Sequence, residues 1–133
     1  MSAWALQRAV YAALTNDATV AGLLGGARIH DDVPRTADFP FITLGTASIS
    51  DWSTGTEPGL EHRLDVHVWS RYAGKREAFA VIDAVRSVLH DASLSLSGAQ
   101  LVNLRCQSFE VRRDEDGETY HGIARFRAVT EPA

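Results

Sequence analysis

The feature that most constrains the fold is the run Leu64 to Val68, in which apolar side chains alternate with Asp65 and His67. A period of two is typical of a β-strand that buries one face and leaves the other polar. Soon after it, Lys75 to His90 carries apolar side chains at helical spacing, which predicts an amphipathic helix. A strand with one apolar face and a helix with one apolar stripe can cover each other, so the sequence predicts an α+β domain.

Two helical segments are predicted before the first long strand. Apolar residues at helical spacing over Ala3 to Leu14 indicate an amphipathic helix. Asp17 can cap a second, shorter segment over Ala18 to Leu24, which Gly25 and Gly26 would end. A short strand and a proline-containing loop are expected before residue 41.

The other strands are predicted in two sequential pairs. Phe41 to Ser50 forms the first strand, and the alternating run follows it after a polar loop. The second pair, about Leu101 to Arg113 and Glu118 to Thr130, flanks an Asp-Gly turn. We therefore expect a mostly antiparallel sheet of four to five strands, with the long helix and the N-terminal helix packed on one face.

Composition limits the classes of partner. A length of 133 residues suits one domain over residues 1–133. A formal net charge of -4 provides no overall positive field for nucleic acid. No run is long enough for a membrane-spanning helix, and the N-terminus lacks the features of a signal peptide, so we expect synthesis in the cytoplasm and no membrane partner. The single cysteine, Cys106, excludes an internal disulfide and a cysteine-based zinc site.

Residues that could carry chemistry do not form a recognisable constellation. His62 and His67 are an odd number of positions apart on one strand, so they point to opposite faces and cannot share a metal ion without a bulge. His30, Asp31 and Asp32 could form a metal or acid/base cluster, but adjacent side chains diverge, and a solvated surface cluster is expected.

The cysteine and the glycines have structural interpretations. Cys106 lies in mid-strand with no histidine close in sequence, so we expect a buried small apolar residue. Gly22, Gly25 and Gly26 lack the Gly-Lys-Ser or Gly-Lys-Thr of a phosphate loop, and helix termination explains them. No catalytic, cofactor-binding or metal-binding residue is predicted, and no cofactor.

One long segment resembles a known family. The strand Leu64 to Ser70 ends in Trp-Ser and leads through Gly74 into the amphipathic helix that includes Glu77. With the strand Pro40 to Leu44 and a closing hairpin, this layout resembles the tail-completion, or tail-terminator, family of long-tailed, siphovirus-like phages and gene transfer agents. The similarity spans nearly the whole chain.

The resemblance implies a structural role and no enzymatic activity. Members of that family form a ring, usually a hexamer, that caps the tail tube, stops its polymerisation and meets the head connector. The implied partners are further copies of the chain, the tail tube protein and the head connector or stopper protein, at the head-tail junction of a particle. DNA would pass through the lumen without specific binding, and the acidic balance is consistent with a channel that does not grip phosphates.

The loop between the first two long strands is the best candidate for contact with a partner. It contains Asp51, Trp52, Thr54 and Glu57 among turn-forming residues. Trp is enriched in interface hot spots, but Trp52 could equally fold back on its own core. Both interpretations remain open from the sequence.

Further contact candidates lie outside this loop. Trp69 occupies the polar face of its strand, so it is either covered by another element or part of a subunit contact. Arg112, Arg113 and Asp116 belong to a mixed-charge hairpin tip that can be a solvated turn or a docking contact. Trp4, on the first helix, is expected to pack against the core.

Three other functions compete with a tail terminator. A head-closure or stopper connector is also a small ring-forming protein of the same apparatus. A small enzyme or ligand-binding domain is possible because a fold class does not fix a function. A general interaction adaptor is the third alternative.

Overall fold

The computed structural model describes residues 2–133 and contains three helices and five strands in the order α1, α2, β1, β2, β3, α3, β4, β5. The helices are α1 (Ser2–Thr15), α2 (Ala18–Leu24) and α3 (Arg76–Leu89). The strands are β1 (Ile29–His30), β2 (Phe41–Asp51), β3 (Leu60–Ser70), β4 (Ala99–Arg113) and β5 (Tyr120–Pro132). The predicted α+β class is confirmed. None of the described helices has the length and apolar character needed to cross a membrane.

All five strands form one sheet in the order β1-β2-β3-β5-β4. The pairs β2/β3, β3/β5 and β5/β4 are antiparallel, and only β1 runs parallel to its neighbour. The mostly antiparallel sheet is therefore confirmed. The last strand of the chain lies between β3 and β4, which places β4 at one border of the sheet.

One face of the sheet, called the covered face, carries the apolar half of the alternation in β3. Leu64, Val66 and Val68 are buried there, and Phe126 of the neighbouring strand lies opposite Leu64. These residues form a hydrophobic core cluster with apolar residues of all three helices. Burial of a large apolar side chain stabilises the fold by roughly 1.5–3 kcal/mol, so this cluster is the main source of stability.

A glycine on the covered face sets the distance between sheet and helix. A Cβ atom at Gly122 would lie 2.9 Å from Cγ1 of Ile82 on α3 and 3.5 Å from Cβ of Val68. The missing side chain therefore lets α3 approach the centre of the sheet closely.

The short helix α2 has the predicted ends. Asp17 is the N-cap, and its carboxylate accepts a hydrogen bond of 3.0 Å from the backbone N–H of Val20. Gly25 follows the helix in the left-handed conformation, with φ of 78°. Glycine adopts that conformation without a steric penalty, which explains why the helix ends there.

Candidate assembly surfaces

The other face of the sheet, called the open face, carries the polar half of the β3 alternation. Asp65, His67 and Trp69 are only partly buried on this face. Three arginines of β4 and β5 are paired with carboxylates on or beside it. Arg127 donates to Glu61 at 2.7 Å, Arg125 donates to Glu110 at 3.2 Å, and Arg105 lies 3.7 Å from Asp91.

Aromatic rings stack at the centre of the open face. The Trp69 ring lies 3.8 Å from the His121 ring, with an angle of 8° between their planes. The Trp69 indole N–H donates to the Thr43 hydroxyl at 3.0 Å. Of the two interpretations of Trp69, the structure favours partial cover by side chains of the adjacent strands.

The same stack contains a histidine pair that the sequence did not predict. His67 Nδ1 and His121 Nε2 are 2.7 Å apart, so one ring donates a hydrogen bond to the other. Burial lowers the pKa of each imidazole, and the nearby His67 lowers the pKa of His121 further. Both rings are therefore kept neutral at neutral pH.

The predicted separation of His62 and His67 is confirmed. His62 points to the covered face, where its Nε2 lies 2.8 Å from the Thr130 hydroxyl. Burial lowers its pKa as well. Sequence reasoning missed the histidine pair because it compared histidines within one strand, whereas His121 comes from a strand 54 residues further along the chain.

The predicted loop between β2 and β3 is held by hydrogen bonds at its base and its tip. The Trp52 N–H donates to the Gly59 carbonyl at 2.9 Å, and the Thr54 N–H donates to the Glu57 carbonyl at 2.8 Å. The Asp51 carboxylate accepts from the Ser53 hydroxyl at 2.6 Å. The loop therefore presents ordered polar side chains at its surface.

Trp52 fits in part both interpretations from the sequence, a contact with a partner and packing against its own chain. Its side chain remains 51% exposed, although the Arg127 guanidinium lies 5.3 Å from its ring centroid. An aromatic ring held by a cation at this distance keeps a defined position while one side faces solvent.

At the hairpin tip after β4, two of the three candidate residues form hydrogen bonds within the turn itself. Arg113 donates to the Gly117 carbonyl at 2.7 Å. Asp116 accepts hydrogen bonds from the backbone and hydroxyl of Thr119, which lower the pKa of its carboxyl to about 2. Arg112 is exposed on the open face, opposite His121, and has no acidic partner among the described residues.

The two candidate contact regions lie at opposite ends of the sheet. The β2–β3 loop adjoins the end where Leu60 pairs with Thr130, and the β4–β5 tip adjoins the end where Ser70 pairs with Tyr120. Strands rise about 3.3 Å per residue, so the strand β3 separates these ends by roughly 30 Å. The predicted residues therefore do not form one site.

The expectation that Trp4 packs against the core is wrong. The apolar stripe of α1 consists of Leu6, Val10 and Leu14, which recur every four residues. Trp4 lies off this stripe and is 57% exposed, as part of a shallow surface groove that Tyr11 also lines. It is therefore available for contact with a partner.

Among residues 2–133, no group of three or more His, Cys, Asp or Glu side chains could hold a metal ion. Asp31 accepts a hydrogen bond of 3.0 Å from Gln7 at the exposed surface. Cys106 is partly buried, less than expected, and burial raises the pKa of its thiol, which disfavours the nucleophilic thiolate.

Comparisons with known proteins show the family of this chain. The sequence matches the family described as "Tail completion protein gp17" over residues 8–131. A chain in the structure titled "Virion of native gene transfer agent (GTA) particle" is 34% identical, with a TM-score of 0.90 over 98% of this chain and 97% of that chain. No curated protein matches the sequence. The predicted resemblance is thus confirmed, and the chain belongs to the tail completion protein family, a family of structural proteins of phage-type tails.

Proposed function

We propose that six copies of this chain form a ring that caps the tail tube, ends its polymerisation and joins the tail to the head connector. The observation that carries the proposal is the position of the two candidate contact regions at opposite ends of one sheet. Each copy is a single domain over residues 1–133. One end of every domain would meet the tube, and the other end would meet the connector.

A ring also needs two lateral surfaces that differ from each other, because each copy binds its neighbours head to tail. The sheet supplies two unlike borders. The short β1 and the long β2 lie at one border, and β4 lies at the other. Large apolar side chains are exposed near both borders, including Trp4 and Ile49 at the first and Val102 and Phe109 at the second.

The lumen of such a ring would let DNA pass without specific binding. Most arginines of the open face are already paired with carboxylates, so few are free to hold phosphates. The formal net charge of -4 also predicts that the chain attracts DNA only weakly. This part of the proposal predicts no measurable retention of duplex DNA by the purified chain at physiological salt.

The direct test is electron microscopy of particles from cells that lack the gene. Overlong tails, or tails without heads, are expected, and the wild-type gene supplied in trans should restore normal particles. Particles with normal tails and heads in the absence of the gene would overturn the proposal.

Binding assays separate a tail terminator from a head-closure connector. The purified chain should bind purified tail tubes and should not bind isolated portal rings. Replacing Trp52 with Ala in the β2–β3 loop should weaken attachment at one end of the ring by about tenfold or more, which is typical of a buried interface Trp. Ser87→Ala, an exposed change on α3, is the matched control.

A further inference from the structure

Part of β2 has no partner strand on its outer side among the described residues. The two residues of β1 pair only with Ile42 and Thr43, at the start of β2. The stretch Gly45 to Asp51, called here the β2 edge, therefore leaves backbone N–H and C=O groups free for pairing.

Part of β4 is free in the same way. The segment after α3 bridges the start of β4 and occupies its outer side near the middle, where the Asp91 N–H donates to the Leu104 carbonyl and the Cys106 N–H donates to His90 Nδ1. From Ser108 to Arg113, called here the β4 edge, no strand pairs with the outer side within residues 2–133.

Apart from the register shift between Leu44 and Ala47 at its start, the β2 edge lacks the features that usually protect such a border. Proteins commonly prevent unwanted pairing with Lys, Pro or a covering element. The segment Gly-Thr-Ala-Ser-Ile-Ser-Asp contains no Lys and no Pro, and its only charge is Asp51 at the end. A long, exposed and nearly neutral border is suited to pairing with another strand.

The directions of the two edges fit each other. The strands β2 and β3, β3 and β5, and β5 and β4 are antiparallel pairs, so β4 runs opposite to β2. When two copies lie side by side in the same orientation, the β4 edge of one is therefore antiparallel to the β2 edge of the next. Antiparallel pairing is the more stable arrangement per residue.

Side chains at the edges match on both faces. Ile49 and Phe109 both point to the covered face, yet they are 42% and 44% exposed. Placing them opposite each other would bury an aromatic and β-branched pair of the kind that stabilises sheets. In that register Ser50 lies opposite Ser108 on the open face.

The charges near the edges are also complementary. The strand β4 carries three Arg and one Glu, whereas residues 31–57 carry five acidic residues and one Arg. In the same register, Arg112 comes level with Thr46 at the irregularity between Leu44 and Ala47, and Asp31 and Thr46 line one surface groove. An attraction of this kind favours one neighbour orientation over others.

We infer that the β2 edge of one copy pairs with the β4 edge of the next copy, with Ile49 opposite Phe109, so that the sheets of all copies join into one closed sheet. This inference rests on the proposed ring and specifies its lateral contact. The β2 edge lies level with the start of β3 and the β4 edge with its end. Each junction between two copies therefore shifts the strands of one copy lengthwise relative to those of the next, as a closed sheet requires.

Cysteine crosslinking in assembled particles tests this pairing. Cells that lack the gene would be complemented with variants of the chain. Each variant carries Cys106→Ser together with Ser50→Cys, Ser108→Cys or both. Within one copy the two sites are three strand spacings, about 14 Å, apart across the sheet and are also offset along it, so they cannot join. After oxidation or treatment with a short bifunctional maleimide, the double variant should give a ladder of multimers on a denaturing gel.

The controls distinguish the pairing from other contacts. Each single-cysteine variant should stay monomeric on the gel, and so should Ser50→Cys combined with Ser87→Cys on α3. Dimers from a single-cysteine variant, or no ladder from the double variant in particles that contain the chain, would overturn the inference. Tail lengths of the same particles are measured separately, so a failed crosslink with normal termination rejects the edge pairing and leaves the proposed function in place.

Discussion

The two faces of the sheet belong to the same strands but differ in the side chains that they carry. On the covered face, apolar side chains of β3 and β5 join the helices in a core cluster. On the open face, the intervening residues form ion pairs, a Trp and His stack and a histidine pair. The covered face is completed within the chain, whereas the open face and the two edges keep polar and apolar groups that remain available to neighbours.

This difference indicates where stability and assembly reside. Changes to the buried side chains of the covered face should destabilise the isolated chain most, because the groups that they remove belong to the core. Changes on the open face should alter stability less, and changes at the edges should act mainly on assembly. The following predictions test that division, beginning with the largest effect.

The largest loss of stability is expected for Phe126→Ala. Phe126 is 1% exposed at the centre of the covered face, and truncation of a buried Phe costs about 3–5 kcal/mol. Phe109→Ala removes the same side chain on the same face at a position that is 44% exposed, so less than about 1 kcal/mol is expected. Urea unfolding of the purified chain measures both, and equal losses would contradict the division.

A smaller loss, about 2 kcal/mol, is expected for Trp69→Ala on the open face, because the side chain is only half-buried but stacks on His121 and binds Thr43. Trp4→Ala, which truncates the 57% exposed Trp of α1, should change the free energy of unfolding by less than about 0.5 kcal/mol. An effect of Trp69→Ala as large as that of Phe126→Ala would show that the open face is part of the core.

Histidine protonation should make stability depend on pH in the window that begins at pH 6.5 and extends below it. The folded-state pKa values of His62, His67 and His121 lie below the ordinary value of 6.5. Their contribution to stability is therefore fully present above pH 6.5 and is lost as the pH falls through the folded-state values. Urea midpoints should decrease in this window.

Replacing His67 and His121 together with Asn should flatten the pH dependence, and the residual slope should come from His62 on the covered face. The matched variant is His90→Asn, which removes a histidine that lies outside this pair. A double variant with the wild-type slope would exclude the histidine pair as its source.

A small effect is expected for Glu110→Gln, which breaks an exposed ion pair. Arg125 and Glu110 are 45% and 50% exposed in their side chains, and such pairs contribute about 0.2–1 kcal/mol. The difference between wild type and variant should nearly disappear at about 1 M salt, where charges on the surface are screened. A difference that persists at high salt would mean that the pair is less accessible than its exposure indicates.

Local patterns were sufficient to predict most secondary structure. The alternation in β3, the Asp17 cap and the Asp-Gly turn each depend on residues close together in sequence. The strand order could not be predicted in the same way, because the pairing of β3 with β5 joins segments from different hairpins. Wherever a feature depends on that order, single-sequence patterns contain no direct information about it.

The arrangement of the candidate surfaces could not be predicted from local sequence patterns either. The sequence identified the β2–β3 loop and the hairpin tip, but not their separation at opposite ends of the sheet. It did not identify the edges, since Ile49 and Phe109 fit the pattern of ordinary apolar strand residues and only the structure shows that they are exposed. Trp4 lies off the apolar stripe of α1, so its position on the helix, and not its large apolar ring, decides its exposure.

The most direct test of the account is a cryo-electron microscopy reconstruction of the head-tail junction of particles that contain this chain. The account predicts one closed ring of six copies at the head-proximal end of the tail tube, with adjacent sheets joined through the β2 and β4 edges. Copies distributed along the tube, or a junction without a ring of this chain, would contradict it.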